Sequence, residues 1–148
     1  MSISNLSPSS KVWVYKSNRE LTVPEQTFIL KELDIFIPQW VSHGNQLFGG
    51  AEVVENWFVV LAVDETQSMA SGCSIDTSVQ FMKAVGKELN VDFFDRMQVL
   101  IDNAGEKEQV HFSEIGDHKE AKIYNPLIST LAEFNSNWLI PVKESQFA

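Results

Sequence analysis

The chain holds a single cysteine, Cys73, in 148 residues. An internal disulfide is therefore excluded, and a reducing cytoplasm is the expected compartment. Basic residues are scarce as well: 11 Lys and Arg stand against 20 Asp and Glu, a formal charge of −9. Phosphate backbones and anionic lipid call for a clustered basic surface, so neither nucleic acid nor membrane is an expected partner. Long apolar runs are missing too. The longest, residues 57–63, is seven residues, against about 20 for a membrane-spanning helix. Among the first eleven residues Lys11 is the only base, and no apolar stretch follows, so no signal peptide is expected. No internal repeat is visible.

What remains is the composition of an ordinary globular protein, 44% hydrophobic and 21% charged. The length suits one core. Residues 1–10 carry five serines and a proline and are expected to be a disordered tail; residues 11–148 are expected to form one α+β domain. Lys11–Ser17 reads as a strand covered on both faces, Val12 and Val14 on one and Trp13 and Tyr15 on the other, which suggests a central position. Thr22-Val23-Pro24-Glu25 reads as a capping box, followed by a helix with Ile29, Leu33, Phe36, Ile37 and Trp40 at helical spacing. Pro38 should kink or end it near Phe36. His43-Gly44-Asn45 is a turn, and Gln46–Val54 a strand weakened or bulged at Gly49-Gly50. Glu55-Asn56 then joins it to the strongest strand, Trp57–Asp64.

After a polar loop at residues 65–70, Ser74 and Asp76 suit the start of a helix with Ile75, Val79, Met82, Val85 and Leu89 as its buried stripe and Asn90 as its C-cap. Residues 96–102 read as a fourth strand, and a C-terminal extension follows. The order strand, helix, two strands, helix, strand is that of the ferredoxin-like split βαβ sandwich (βαββαβ). Right-handed crossovers would give an antiparallel sheet of order 4-1-3-2. That topology would gather His43, Asp64, Glu65, Cys73 and Asp102 at one rim, and Asn18, Arg19, Asp95 and Arg96 at the other.

The candidate chemistry centres on Ser71-Gly72-Cys73-Ser74. A loop entering a helix there would collect free N–H groups and a partial positive charge, which favour thiolates and anions. Cys73 could act as nucleophile, with His43 as base and Asp64 orienting it; a small residue packing at a helix start explains the cysteine equally simply. Ser71, Gly72 and Ser74 are candidate binding residues whose plain role is capping. Asn18, Arg19 and Arg96 are candidate contacts for a carboxylate or phosphate, with Asp95 as the alternative partner of either arginine. Asp64, Glu65, Asp76 and Asp102, with His43, supply oxygen and nitrogen donors, yet no recognised metal spacing joins them, and His111 and His118 make no zinc signature. No metal and no cofactor is expected. Trp13, Tyr15, Trp40, Trp57 and Trp138 either line part of a pocket or fill the core.

The strings at residues 12–19 (VWVYKSNR), 40–44 (WVSHG), 61–65 (LAVDE), 71–76 (SGCSID) and 95–97 (DRM), with Trp138-Leu139-Ile140-Pro141 near the end, resemble those of a small uncharacterised bacterial family whose members are often labelled "ABC transporter ATPase". The likeness covers roughly the first hundred residues and carries over no catalytic residue. Its label also conflicts with the residues. A P-loop needs Gly-x4-Gly-Lys-[Ser/Thr] to cradle phosphates. Of the seven glycines only Gly86 precedes a lysine, with Glu88 and Phe81 where Ser/Thr and the first glycine belong. ATPase activity is excluded on that ground. The sequence therefore points to a non-enzymatic domain that binds a small molecule or a protein, with a homodimer left open. A cysteine-dependent thiol transferase or hydrolase using Cys73 and His43 is the alternative.

Overall fold

The computed structural model describes residues 2–66 and 68–147. Met1, in the expected tail, Gln67, in the expected polar loop, and Ala148 lie outside the described residues. In chain order the elements are β1 (Lys11–Lys16), α1 (Val23–Phe36), β2 (Val41–Ser42), β3 (Asn45–Gln46), β4 (Phe48–Val54), β5 (Phe58–Asp64), α2 (Gly72–Leu89), β6 (Gln98–Asn103), β7 (Glu106–His111), β8 (Lys122–Tyr124), α3 (Leu131–Asn137) and β9 (Leu139–Pro141). The protein is α+β, with antiparallel strand pairing throughout the described sheets.

Three strands form a first sheet in the order β1-β5-β4. β5, apolar and buried from Phe58 to Val63, takes the middle. One face carries Tyr15, Leu61, Val59 and Val63 against Ile29 and Leu33 of α1 and Met82 and Val85 of α2. The other carries Val12, Phe58, Val60 and Ala62 against Leu100, Tyr124, Ile128 and Leu131. A second sheet, ordered β7-β6-β8-β9, thus lies on the face opposite the helices. Its own far side buries Val99, Ile101, Val110, Ile115, Ile123 and Val142. Alternation along β6 assigns Leu100 to one layer and its neighbours Val99 and Ile101 to the next.

Helix boundaries follow local chemistry. The Thr22 hydroxyl accepts from the Glu25 amide at 3.3 Å, and the Glu25 carboxylate accepts from the Thr22 amide at 2.9 Å, the reciprocal capping box. Pro38 falls in a 3-10 turn, Ile37–Gln39, directly after α1. At the start of α2 Ser71 is the N-cap and Ser74 closes a second box, while Asn90 ends the helix in the left-handed conformation at φ 56°. Thr130 and Glu133 repeat the device for α3.

Several expectations are corrected. The fourth strand of the ferredoxin-like sheet is absent from the place beside β1. β6 instead sits inside the second sheet, paired with β7 along its whole length and with β8 at Ile101 and Asp102, and among the described residues it makes no pair with β1. The order 1-3-2 survives without its fourth member. β1 is consequently an edge strand, covered on both faces yet paired along one side only. Among the described residues its other side carries only the Lys11–Thr130 bridge. The Gly49-Gly50 pair makes no bulge, because β4 pairs with β5 without interruption from Phe48 to Val54. The glycines make room instead: a Cβ on Gly49 would meet the Trp40 ring at 3.1 Å, and one on Gly50 would meet the Ser2 carbonyl at 2.8 Å. That second contact belongs to the expected disordered tail. Ile3 is buried against β1 and β5, and the Ser7 amide donates to Asp64 at 3.1 Å. Two apolar residues among the serines, Ile3 and Leu6, seat this segment.

Candidate functional site

The start of α2 has the local geometry the sequence suggests. Cys73 is the second residue of the helix and is exposed. The Ser74 amide donates to the Ser71 hydroxyl at 3.1 Å and the Ser71 amide donates to Ser74 Oγ at 2.7 Å. Both hydroxyls are thereby spent on the cap, and Gly72 has open space around its Cα. The Trp40 indole N–H donates to the Ser74 carbonyl at 2.8 Å, which ties the chain just before β2 to this helix turn.

That tie leaves His43 at an exposed hairpin tip, at φ 51° and followed by Gly44 at φ 81°. Among the described residues no hydrogen bond joins His43, Asp64 and Cys73. Asp64 accepts from the amides of Ser7 and Thr66, at 3.1 and 3.0 Å. The Thr66 bonds, then that of Ser7, hold its carboxyl below the usual range. Its role is to close its own turn and hold the N-terminal segment. Glu65 accepts from the Ala70 amide at 2.8 Å and pairs with Lys11 at 3.4 Å. Asp102 belongs to β6, opposite Lys107 and Lys122, and accepts from Gly105 at 2.7 Å. Among the described residues no three His, Cys, Asp or Glu side chains form a group able to hold a metal ion. The relocation of β6 carries Asp102 into the second sheet, while Asp64 and Glu65 stay at the end of β5.

At the other rim Arg19 has a different acid from the one expected. Its guanidinium donates to both Glu25 oxygens, at 2.8 and 2.6 Å, and to the Leu89 carbonyl at 2.9 Å. Asn18 accepts from the Asp92 amide at 3.0 Å. Asp95 accepts from the Met97 amide at 2.9 Å and makes no ion pair with either arginine among the described residues. Asn18 and Arg19 therefore fasten the loop after α2 to the end of β1. Arg96 is exposed and has no such partner among the described residues.

A cavity lies along β1, beside the place expected for the fourth strand. It is a cleft of about 890 Å³ lined by residues 12–16, 93–96 and 98–100 among others. Ile75 and Val79 of α2 border it, as do Tyr124, Ile128 and Trp138. Of the aromatic residues weighed from sequence, Trp13, Tyr15 and Trp138 line it, Trp40 is buried in the core and Trp57 packs beside the second cluster. Of the candidate site residues, Arg96 alone lines it.

Lys16 is the residue that sequence reasoning passed over. Its ammonium donates to the Ser17 carbonyl at 2.8 Å and to the Gln109 side chain, and stands 5.9 Å from the centre of the Trp57 ring. Burial pushes its pKa down to about 8, against the opposing pull of Asp95 and Asp92. No carboxylate lies within ion-pair distance of it among the described residues. Strand alternation carried the signal, because Lys16 falls on the same face as buried Val12 and half-buried Val14, where a lysine is out of place unless it has a partner or a task. Burial first, then Glu55 and Asp102, push the Tyr124 phenol up to about 12, so it stays neutral. The cleft is thus mainly apolar, with Lys16 and Arg96 as cations and Asp95 as the acid among its lining residues.

No protein-family model, curated protein or solved structure matches this chain significantly.

Proposed function

We propose that this chain is a non-enzymatic binding protein and that its site is the cleft between β1 and β6. One observation carries the reading: an apolar cleft of about 890 Å³ ends on two cations, Lys16 and Arg96, that have no contacting carboxylate among the described residues. Volumes of this order, apolar walls and a few convergent polar groups are what ligand sites offer. Lys16 is already held by two neutral acceptors, so its charge is directed without being cancelled. An elongated ligand with an anionic end fits that distribution.

The cysteine-dependent alternative has less support, since Cys73 lies outside the cleft and among the described residues nothing hydrogen-bonds it to a base. An ATPase has none: Gly86 and Lys87 lie in the last turn of α2, not in a loop that opens a helix. A cytoplasmic setting and kinship with the small bacterial family are part of the same proposal, on composition and on the shared strings. The test uses 1-anilinonaphthalene-8-sulfonate, an apolar anion, titrated into the folded protein with backbone NMR. We expect one saturable site with shifts concentrated at residues 12–16 and 93–100. Shifts confined to other surfaces, or no saturable binding, overturn the reading.

A further inference from the structure

The open side of β1 can be assigned atom by atom. The Val12 amide points away from β5, because it donates to the Ser129 carbonyl at 3.0 Å. The Ser17 amide points toward β5, since it donates to the Trp57 carbonyl at 2.8 Å. In an antiparallel pair the two directions alternate. The Val12 carbonyl, both backbone groups of Val14 and the Lys16 amide therefore face outward. Among the described residues none of them has a backbone partner on that side. The Ser129 and Thr130 contact closes only the Lys11 end.

These groups face the cleft. Five consecutive residues of β1, from both faces of the strand, line it, so the cavity follows the edge and does not lie over one face. β6 also borders the cleft, through residues 98–100; β7 takes one of its edges in full, and β8 takes the other only at Ile101 and Asp102. From Val12 to Lys16 the free edge covers about 13 Å at the usual strand rise, the span of roughly four or five residues of added strand. Backbone donors and acceptors at strand spacing suit one chemistry best. A hydrocarbon ligand would leave them unpaired in an apolar setting, at a cost; another strand satisfies them reciprocally, as in β-augmentation. Lys16 and Arg96, at the C-terminal end of that edge, add a preference for negative charge.

We propose that the cleft receives an extended peptide segment of a partner protein, which adds beside β1 as the missing fourth strand and places an acidic group at the Lys16–Arg96 end. This rests on the cleft being the binding site and names what it binds. The side chains of Val12 and Val14 would sit beside alternate residues of the peptide, so apolar residues are favoured at every second position.

The probe is a library of linear heptapeptides displayed and selected on the folded full chain, followed by synthesis of the enriched sequences. We expect alternating apolar residues, an Asp or Glu at one end, and slowed hydrogen exchange at the Val14 and Lys16 amides on binding. N-methylation of the peptide should weaken binding about tenfold at amides that face β1 and leave the intervening ones unchanged, a period of two. The double variant Lys16→Met/Arg96→Ala should lose the acidic preference. Val14→Pro removes an outward amide that makes no bond to β5, the kind of site where an edge strand tolerates proline; it should abolish peptide binding while the thermal midpoint holds. If Val14→Pro does not fold, the methylation pattern decides alone. Failure to enrich any peptide, or binding indifferent to the position of N-methylation, overturns the inference. The naphthalene sulfonate still binding in the cleft in that event would leave the broader reading standing.

Discussion

Glu25 serves Arg19 and Thr22 with one carboxylate. Oε1 accepts from the Thr22 amide at 2.9 Å and from the Arg19 guanidinium at 2.8 Å, while Oε2 accepts a second guanidinium N–H at 2.6 Å. The same guanidinium reaches the Leu89 carbonyl. The start of α1, the end of β1 and the last turn of α2 are thus joined through one ion pair.

The pair makes stability depend on acid. The Arg19 guanidinium first, then the Thr22 amide, hold Glu25 at about 2 against an ordinary 4.5. A depressed carboxyl pKa contributes stability that is fully present above 4.5 and lost as pH falls toward 2. The urea midpoint of the wild type should drop through that window, and the drop should be shallower in Glu25→Gln. At neutral pH Thr22→Ala should cost about 1 kcal/mol, as loss of an N-cap side chain does.

Lys16 should give a slope of the same sign in the alkaline range. Its folded pKa, about 8, lies below the ordinary 10.5, so between those values the unfolded chain binds the extra proton and stability rises with pH. Lys16→Met should remove the rise in denaturation curves recorded from pH 8 to 10.5. Binding of the naphthalene sulfonate should weaken over the same range in the wild type, as the amine loses its charge, and should not in Lys16→Met.

Two glycines of α2 should respond oppositely to alanine. A Cβ on Gly86 would meet the Val91 carbonyl at 2.5 Å, where the chain folds back so that the Val91 amide donates to the Gly86 carbonyl at 2.8 Å. Gly86→Ala should destabilise by about 1–3 kcal/mol. Gly72 has nothing within 4 Å of its Cβ position and a helical backbone, so Gly72→Ala should be neutral or stabilise by up to about 1 kcal/mol. Thermal unfolding of the two variants checks the contrast.

Cys73 should react with iodoacetamide in the native protein, without denaturant, because it is exposed. His43→Ala should leave the labelling rate within about twofold, since no hydrogen bond links the two residues. A larger fall in rate would restore His43 as a base for the thiol. Cys73→Ala should leave stability unchanged within about 0.5 kcal/mol, as for other exposed positions.

Much of the first ninety residues was legible because its signals are local. The Thr22/Glu25 box, Pro38 after α1, the apolar run of β5, the Ser71 and Ser74 cap and the Asn90 stop each depend on neighbours within a few positions. The misreadings have mixed origins. Gly49-Gly50 looked like a weak point in a strand, yet these glycines answer to Trp40 and Ser2, both distant in sequence from them. Residues 1–10 looked loose because serines outnumber the two apolar residues that seat them. Arg19 was read as needing an acid, correctly, but its acid comes from the α1 cap six residues on. Within residues 104–137, β7, β8 and α3 are short or mixed in polarity, so periodicity says little about them.

By itself the sequence determined the α+β class, the order of the main elements, their caps and the exposed acidity that argues against nucleic acid. Periodicity and capping are properties of single segments, and single segments carry them. Only the tertiary structure decided which edge β6 would use. Strand pairing is a choice among backbone edges that all offer the same N–H and C=O groups, so no side-chain pattern in β6 announces its neighbour. Because β6 pairs with β7 and β8 and not with β1, β1 is left open, Asp102 goes to the second sheet, and the cleft beside Lys16 exists.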